Sequence, residues 1–267
     1  MERTKIKEDT SGEILFSVQS LHKRFPCGPK STDYREVLSN VNLDVYTGEC
    51  LLIAGANGSG KTLLMRILSG LAEASSGEIL FRGLPLRDCR SLVRRSVGLV
   101  FQDADVQILG ETVEEDIRFG PENLKLPENE IRDRLEKSLV SLGLASKRDF
   151  VARHLSGGEK RRLAVAGILA MGCEAVIMDE PFANLDWPGV IQVLGIIGDL
   201  KKSRKTVIIL THELEKVLAF ADRLVILAGG RIRDQGKSDE VLDRLDPAWG
   251  VRDPRKAYNR AEDCTWL

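Results

Sequence analysis

The chain has 267 residues, and 43% of them are hydrophobic, which is enough apolar content for the core of one large or two modest domains. Its 39 basic and 40 acidic residues leave a net charge of −1, which excludes an overall cationic surface for nucleic acid or anionic lipid and leaves local patches open. The five cysteines are odd in number and scattered, without a C-x-x-C pair, which favours reduced thiols over a disulfide scaffold or a zinc site.

The apolar segments predict neither a secretory signal nor a membrane span. Residues 1–9 are charged and lack the apolar centre of a signal peptide. The longest uncharged stretches, at 163–173 and 187–198, fall short of the roughly 18 apolar residues that a span requires. We therefore expect a chain that is soluble by itself.

The N-terminal part of the sequence predicts a tail, two strands and a loop. Residues 1–12 are expected to be frayed. Residues 14–18 and 41–46 have the apolar pattern of strands, the second with strict alternation. Residues 26–35 are rich in Pro, Gly, Ser and Asp and predict a loop.

The next segment lies between an apolar run at 50–54 and a helical apolar repeat at 63–68, and it has the spacing G-x-x-x-x-G-K-S/T. Its residues are Gly55, Ala56, Asn57, Gly58, Ser59, Gly60, Lys61 and Thr62. The glycines let backbone N–H groups converge on one anion where a helix begins. Lys61 supplies charge for the outer phosphates of a nucleotide, and the Thr62 hydroxyl is placed to ligate Mg²⁺. The alternative, a plain glycine-rich turn, does not account for the lysine and the hydroxyl.

The remaining pattern alternates strands with helices. Residues 112 to about 144 are helical, with apolar residues at spacings of three or four. Strands are predicted at 78–81, 97–101, 175–178, 206–210 and 223–227. The last three are nearly continuous β-branched runs, which are typical of strands buried on both faces of a mainly parallel sheet. This pattern predicts an α/β architecture.

Two carboxylates, Asp179 and Glu180, close the apolar strand at 175–178. Two acids at a strand end are common. Downstream of a lysine loop, however, Asp179 can reach the Mg²⁺ shell, and Glu180 can accept a proton from an attacking water.

A second glycine motif begins another apolar helix, at 163–171. Its residues are Leu155, Ser156, Gly157, Gly158 and Glu159. A helix that starts on Ser-Gly-Gly offers a second anion site. One nucleotide does not need two such ends far apart in one chain, so the motif indicates two chains that each offer this end to the other's nucleotide. Simple helix capping is the alternative.

In this order the motifs resemble those of ABC-type ATPases, the nucleotide-binding cassettes of membrane transporters. The resemblance covers about residues 13–240 and leaves 241–267 as a tail without an assigned role. It implies an α/β P-loop NTPase fold with a RecA-like core, an N-terminal antiparallel β subdomain and a helical subdomain at about 104–160.

The resemblance also implies roles for single residues. Gln102 matches the glutamine that touches Mg²⁺ or water and relays nucleotide state to a membrane partner. His212 matches the histidine that contacts the γ-phosphate and joins Lys61, Gln102 and Glu180 as a catalytic residue. Phe25 stands where the family stacks a ring on adenine, with ordinary packing as the alternative. The segment that lines the two-chain interface is Asn184, Leu185 and Asp186.

Two positions depart from the family pattern. Glu159 replaces the common glutamine and adds a negative charge near a partner's phosphates, which is expected to slow or tune turnover. Leu63 follows Thr62 where a second hydroxyl is common, and no loss of binding is expected because Thr62 suffices for the metal.

A finer resemblance, at 101–107, 112–117 and 119–124, is to the ATPase of energy-coupling-factor importers of vitamins or transition-metal ions. It implies ATP and Mg²⁺ as cofactors, a second ATPase subunit of identical or related sequence, and two integral membrane subunits, one for coupling and one for cargo. It places the chain at the cytoplasmic face of the membrane. The acidic residues Asp103, Asp105, Glu114, Glu115 and Asp116 suit basic groups on a partner, or form a solvated face.

Two other functions would also use a lysine loop. A soluble ABC-type ATPase acting on nucleic acid or ribosomes normally has a long coiled-coil insertion or two cassettes, whereas this chain has one lysine loop and a short span between its motifs. A non-catalytic regulatory module is disfavoured by Glu180 and His212. No nucleic-acid partner is expected.

Overall fold

In the computed structural model, which describes residues 12–28 and 32–255, the chain folds into two sheets flanked by helices. The tail predicted at residues 1–12 lies, except for Gly12, outside the described residues. The strands are β1 (Ile14–Pro26), β2 (Tyr34–Tyr46), β3 (Cys50–Ala54), β4 (Ser76–Phe81), β5 (Leu84–Pro85), β6 (Val97–Val100), β7 (Ala175–Asp179), β8 (Thr206–Thr211), β9 (Arg223–Ala228) and β10 (Arg231–Gly236). The helices are α1 (Lys61–Leu68), α2 (Arg90–Ser96), α3 (Val113–Asn123), α4 (Glu128–Ser141), α5 (Gly157–Met171), α6 (Trp187–Lys202), α7 (Leu214–Val217) and α8 (Ser238–Asp243).

The first sheet is antiparallel, in the order β2-β1-β4-β5, as the fold class predicts. The loop predicted at 26–35 is too long, because the β1–β2 hairpin continues until Pro26 faces Tyr34. Beyond that pair the Cys27 N–H still donates to the Asp33 carbonyl at 2.9 Å. Proline is tolerated here because it is the last residue of the strand, where no N–H is needed for a further hydrogen bond between the strands.

The second sheet has the order β10-β9-β3-β8-β7-β6, and all its pairs are parallel except β9–β10. Its side chains alternate between two cores. In β3, Leu51 and Ile53 pack toward the antiparallel sheet, whereas Cys50, Leu52 and Ala54 pack toward the larger helical core. The strand β10 was not predicted, since this edge strand is polar and alternately exposed.

The helical pattern at 112–144 resolves into two helices, α3 and α4. Lys125, with φ 57°, and Pro127, which caps α4, separate them. Proline has no N–H and disfavours helical geometry at the residue before it, so together with the left-handed Lys125 it separates α3 from α4. Ile131, Leu135 and Leu139 are buried, as their spacing predicts, and the two leucines belong to the helical core.

The described part of the predicted tail packs on the body of the chain. Val241, Leu242 and Val251 are buried in the helical core. The domain limits stay a prediction, and residues 256–267 lie outside the described residues. Among the described helices, none combines the length and the apolarity that crossing a bilayer demands.

The order of the parallel strands positions the site. β3, β8 and β7 are neighbours, and their carboxyl ends are Ala54, Thr211 and Asp179. Ligands of open α/β sheets bind at this edge. The glycine loop after β3 and the acids after β7 therefore come to the same place.

Candidate active site

The glycine loop connects β3 to α1 through a turn that needs glycine at both ends. Gly60, the residue before α1, has φ 104°, and a Cβ there would lie 2.7 Å from Leu38 Cδ2. A Cβ on Gly55 would lie 2.2 Å from the Leu227 carbonyl oxygen. No side chain of the described residues caps α1, so the N–H groups of its first turn are available to an anion.

Lys61 is the first residue of α1, and its side chain is almost fully buried. Its ammonium donates to the Gly55 carbonyl at 2.6 Å and to the Ala56 carbonyl at 3.3 Å. It also lies 3.4 Å from Oε1 of Glu180. The cation therefore lies inside the loop, between the backbone cradle and the predicted base.

Thr62 and Asp179 face each other at the end of β7. The Thr62 hydroxyl donates to Oδ2 of Asp179 at 2.7 Å, while Oδ1 is buried without a hydrogen-bond partner within the described part of the chain. Burial raises the pKa of Asp179, and the hydrogen bond from Thr62 opposes that shift. A hydroxyl beside an unsatisfied carboxylate oxygen is an oxygen donor set that fits Mg²⁺.

Glu180 follows in a left-handed conformation, φ 45°, which is unusual for a side-chain-bearing residue and is found at functional sites. Its Oε2 accepts from the Thr211 hydroxyl at 2.9 Å and lies 3.0 Å from Nδ1 of His212. The second oxygen, Oε1, faces Lys61 and has no hydrogen-bond partner in the residues the structure covers. One oxygen is thus held in place and the other is left to accept a proton.

Thr211 was missed at the sequence level. Thr211 is the last residue of β8, which pairs with β7. Because Asp179 lies opposite Leu210, the next residues of the two strands, Glu180 and Thr211, come together. Reading that register requires knowing the strand order, which the sequence does not state.

Gln102 lies in the exposed loop after β6, and the structure does not join it to Thr62 or Asp179. Its side chain forms no hydrogen bond within the described residues, whereas its carbonyl accepts from Arg161 at 2.7 Å. Its predicted contact with the metal stays a prediction.

The second glycine motif forms the start of α5. Ser156 caps the helix in a reciprocal capping box, in which its N–H donates to Oε2 of Glu159 at 2.9 Å. A Cβ on Gly157 would meet nothing within 4 Å, so this helix end is open to an approaching group. Leu155, before the cap, is buried. Among the described residues, no hydrogen bond or ion pair joins this motif to the glycine loop.

The charge of Glu159 is paired within the chain. Its Oε1 lies 2.6 Å from the ammonium of Lys147, a partner that sequence reasoning missed. The hydrogen bond from Lys147, followed by that from the Ser156 N–H, lowers the pKa of Glu159. The negative charge expected at this position is therefore largely compensated by a neighbouring cation.

The segment before α6 lies beside the start of α5. Asn184 has φ 57°, and Asp186 caps α6 by accepting from the Gly189 N–H at 3.0 Å. Asn184 and Leu185 line an open cavity of about 300 Å³ together with Gln102, Gly157 and Arg161. The Gln102 loop, the second glycine motif and this segment thus meet at one place.

Phe25 lies near the end of β1, opposite Arg35, with the Lys23 ammonium 4.8 Å from its ring centroid. The hairpin that carries it passes the glycine loop, because Leu38 contacts Gly60. Its ring is partly exposed. The stacking role stays a prediction.

Most of the acidic residues after Gln102 are used within the chain. Asp105 pairs with Lys160 and Glu114 pairs with Arg148. The others form local contacts: Glu115 completes the capping box of α3, and Asp116 accepts from the Leu109 and Gly110 N–H groups. Asp103 has no ion pair in the described chain, and its Oδ1 accepts from the Asp105 N–H at 3.0 Å.

Comparisons with known proteins show the family of the chain. A family model described as ABC transporter matches residues 38–183. The energy-coupling factor transporter ATP-binding protein EcfA of Methanocaldococcus jannaschii is 38% identical over 249 residues, which are 91% of this chain and 87% of the relative. The cobalt import ATP-binding protein CbiO of Rhodobacter capsulatus is 40% identical over 240 residues, 88% of this chain and 84% of the relative.

A solved structure is similar over most of its length. The cbiO1 protein of Clostridium perfringens, described as part of the ABC transporter complex cbiONQ, superposes with a TM-score of 0.78 at 34% identity. The match covers 86% of this chain and 91% of that one.

Proposed function

The chain belongs to the ABC transporter family of ATPases, and from this membership we propose that it binds and hydrolyses ATP to power an importer of the energy-coupling-factor type. The observation that carries the proposal is the convergence of Lys61, Glu180 and His212 at the carboxyl edge of the parallel sheet. These are a cation for phosphate, a base whose Oε1 faces that cation without a hydrogen bond, and a histidine that holds the base.

The chemistry follows from these positions. Lys61 and the N–H groups of α1 hold the triphosphate. Oε1 of Glu180 accepts a proton from the attacking water, while Thr211 and His212 hold Oε2 and keep the carboxylate oriented. Thr62 and Asp179, with Gln102 from its loop, would hold Mg²⁺, which would supply positive charge to the outer phosphates.

A second cassette completes the site in this proposal. The open helix end at Ser156 and Gly157 has no bond to the glycine loop in the described residues of its own chain, so it is available to the nucleotide of a partner. The partner is an identical chain or a related one. Hydrolysis removes the phosphate that bridges the two chains and lets the pair open.

Membrane subunits are proposed as the further partners, with the chain at the cytoplasmic face. The relatives named above are an energy-coupling-factor ATPase and a cobalt import ATPase, and the solved neighbour is part of a larger complex. An apolar groove suits such a partner: Leu109 and Phe119 are exposed beside Met171 on its wall. The cargo is a vitamin or a transition-metal ion that the membrane subunits select.

Two measurements test the proposal. Phosphate release per chain should rise with protein concentration, and a constant rate on dilution contradicts a shared site. Affinity purification from detergent-solubilised membranes should recover integral membrane subunits, whereas ribosomes or DNA in their place contradict transport. Leu109→Asp should reduce that recovery, and Val140→Asp, an equally exposed apolar position on α4, should not.

A further inference from the structure

Arg161 is a buried cation that bonds only to backbone carbonyls. It lies on the second turn of α5 and is 4% exposed. One terminal nitrogen donates to the Glu180 carbonyl at 3.2 Å and the other to the Gln102 carbonyl at 2.7 Å. Its Nε is buried without a partner, and no carboxylate lies within ion-pair distance in the described chain.

Stability alone does not explain this arrangement. A buried charge without a carboxylate is costly, and an apolar side chain of similar size is usually tolerated as well or better in such a place. Burial lowers the pKa of Arg161, and the charge of Asp103 only partly opposes it. What the guanidinium supplies, and an apolar side chain cannot, is a planar fork that fixes two carbonyls at once.

The two carbonyls belong to residues with roles at one nucleotide. Glu180 is the base, and its backbone is held at φ 45°, so a bond to its carbonyl helps to keep the carboxylate directed toward Lys61 and His212. Gln102 lies on the loop that is predicted to reach the metal. Arg161 therefore acts on the site that this chain's own glycine loop forms.

The helix that carries Arg161 begins at the motif that is proposed to contact the other nucleotide. Gly157 and Arg161 are four residues apart and share one face of α5. In the proposed function, on which this inference rests, Ser156 and Gly157 contact the nucleotide of the partner chain. A shift of α5 when Gly157 contacts that nucleotide moves the guanidinium of Arg161, which holds the carbonyls of Glu180 and Gln102.

We infer that Arg161 is a positioning residue that couples the two ATP sites of the pair. Engagement of Ser156 and Gly157 with the partner's nucleotide sets, through Arg161, the orientation of the base and of the Gln102 loop in the chain's own site. The two sites then hydrolyse ATP cooperatively.

The test compares Arg161→Gln and Arg161→Lys with the wild type. Phosphate release is measured as a function of ATP concentration. ATP affinity is measured on dilute protein, and the melting temperature is measured for each variant. Both variants should keep ATP affinity within about twofold, lose about tenfold or more in kcat, and fall to a Hill coefficient of about 1. Lysine keeps the charge and one bond but cannot hold both carbonyls, so it separates coupling from folding.

Arg134→Gln is the matched control. Arg134 donates to the Ala170 carbonyl at 2.9 Å, at the far end of the same helix. This variant should lower the melting temperature while kcat and the Hill coefficient stay at wild-type values.

The outcomes separate the two proposals. A cooperative wild type together with folded, cooperative Arg161 variants overturns the coupling role alone. A wild type that is itself non-cooperative, with a rate independent of protein concentration, overturns the shared site and the coupling with it. Loss of cooperativity in Arg134→Gln as well assigns the effect to helix stability and also overturns the role of Arg161.

Discussion

The ammonium nitrogen of Lys61 lies 3.4 Å from Oε1 of Glu180, and both side chains are almost fully buried. The pair connects the start of α1 with the end of β7, so the phosphate cradle and the base are fixed relative to each other. The other oxygen of Glu180 is held by Thr211 and His212. Oε1 therefore lies on the side of the phosphate cradle, which is where a water would be deprotonated.

Glu180→Gln should leave ATP binding nearly intact and stall hydrolysis. The amide keeps an oxygen for the Thr211 hydroxyl but cannot take a proton from water, so kcat should fall by ~100-fold or more. Phosphate release and nucleotide affinity measured side by side check this. Glu213→Gln, a neighbouring carboxylate that pairs with Lys216, is the control. Near-normal turnover in Glu180→Gln removes Glu180 from the role of base.

Lys61→Ala should weaken ATP binding itself. The ammonium is the charged group inside the loop, and its loss should raise the Kd for ATP by ~10-fold or more. The change also leaves Glu180 without its buried cation, so the melting temperature must show that the variant is folded. Lys137→Ala removes an exposed lysine that pairs with Asp133 and should bind ATP normally. Unchanged affinity in the Lys61 variant contradicts the phosphate cradle.

Asp179→Asn should raise the Mg²⁺ concentration needed for half-maximal hydrolysis by ~10-fold or more, because an amide oxygen is a weaker ligand for a hard cation than a carboxylate. The Asn oxygen can still accept from Thr62, so the fold should persist. The shift in melting temperature on adding Mg²⁺ with ATP should shrink in parallel, which gives a readout apart from turnover. Asp199→Asn, an exposed acid paired with Lys202, should keep the wild-type Mg²⁺ dependence. A Mg²⁺ requirement unchanged by Asp179→Asn excludes it as a ligand.

The sequence predicts the parts of this site that local patterns specify. Continuous apolar runs predict the parallel strands, and glycine and lysine spacing predicts the loop. The structure adds contacts between residues far apart in sequence. Thr211 reaches Glu180 through strand register, Arg161 reaches Gln102 through helix packing, and Lys147 reaches Glu159 across a turn. None of these has a sequence signature, since each depends on how the elements pack.

The Lys147–Glu159 pair predicts opposite effects of two single changes on the two-chain site. Glu159→Gln leaves the ammonium of Lys147 uncompensated beside the helix end that meets the partner's phosphates. The protein concentration that gives half-maximal ATPase activity should therefore fall. Lys147→Met leaves the carboxylate with only the longer ion pair to Arg162, at 3.8 Å, and should raise that protein concentration. Each shift should be about threefold, as expected for a partly exposed pair. The double variant should return near the wild type, and single shifts in the same direction contradict the charge argument.

The same pair predicts a pH-dependent contribution to folding stability. The pKa of Glu159 is lowered from its ordinary value of 4.5, chiefly by the hydrogen bond from Lys147. The folded chain therefore binds fewer protons at this group than the unfolded chain, so the contribution is present above about pH 4.5 and is lost as the pH falls through the lowered folded value. Glu159→Gln should lower the melting temperature by about 1–3 °C at pH 7. At a pH low enough to protonate Glu159 in both the folded and the unfolded chain, the variant should match the wild type. In a Lys147→Met background the main cause of the shift is gone, so the same substitution should produce a smaller difference at pH 7. An equal, pH-independent loss in both backgrounds assigns the effect to the capping bond with Ser156 and contradicts the ion pair as its source.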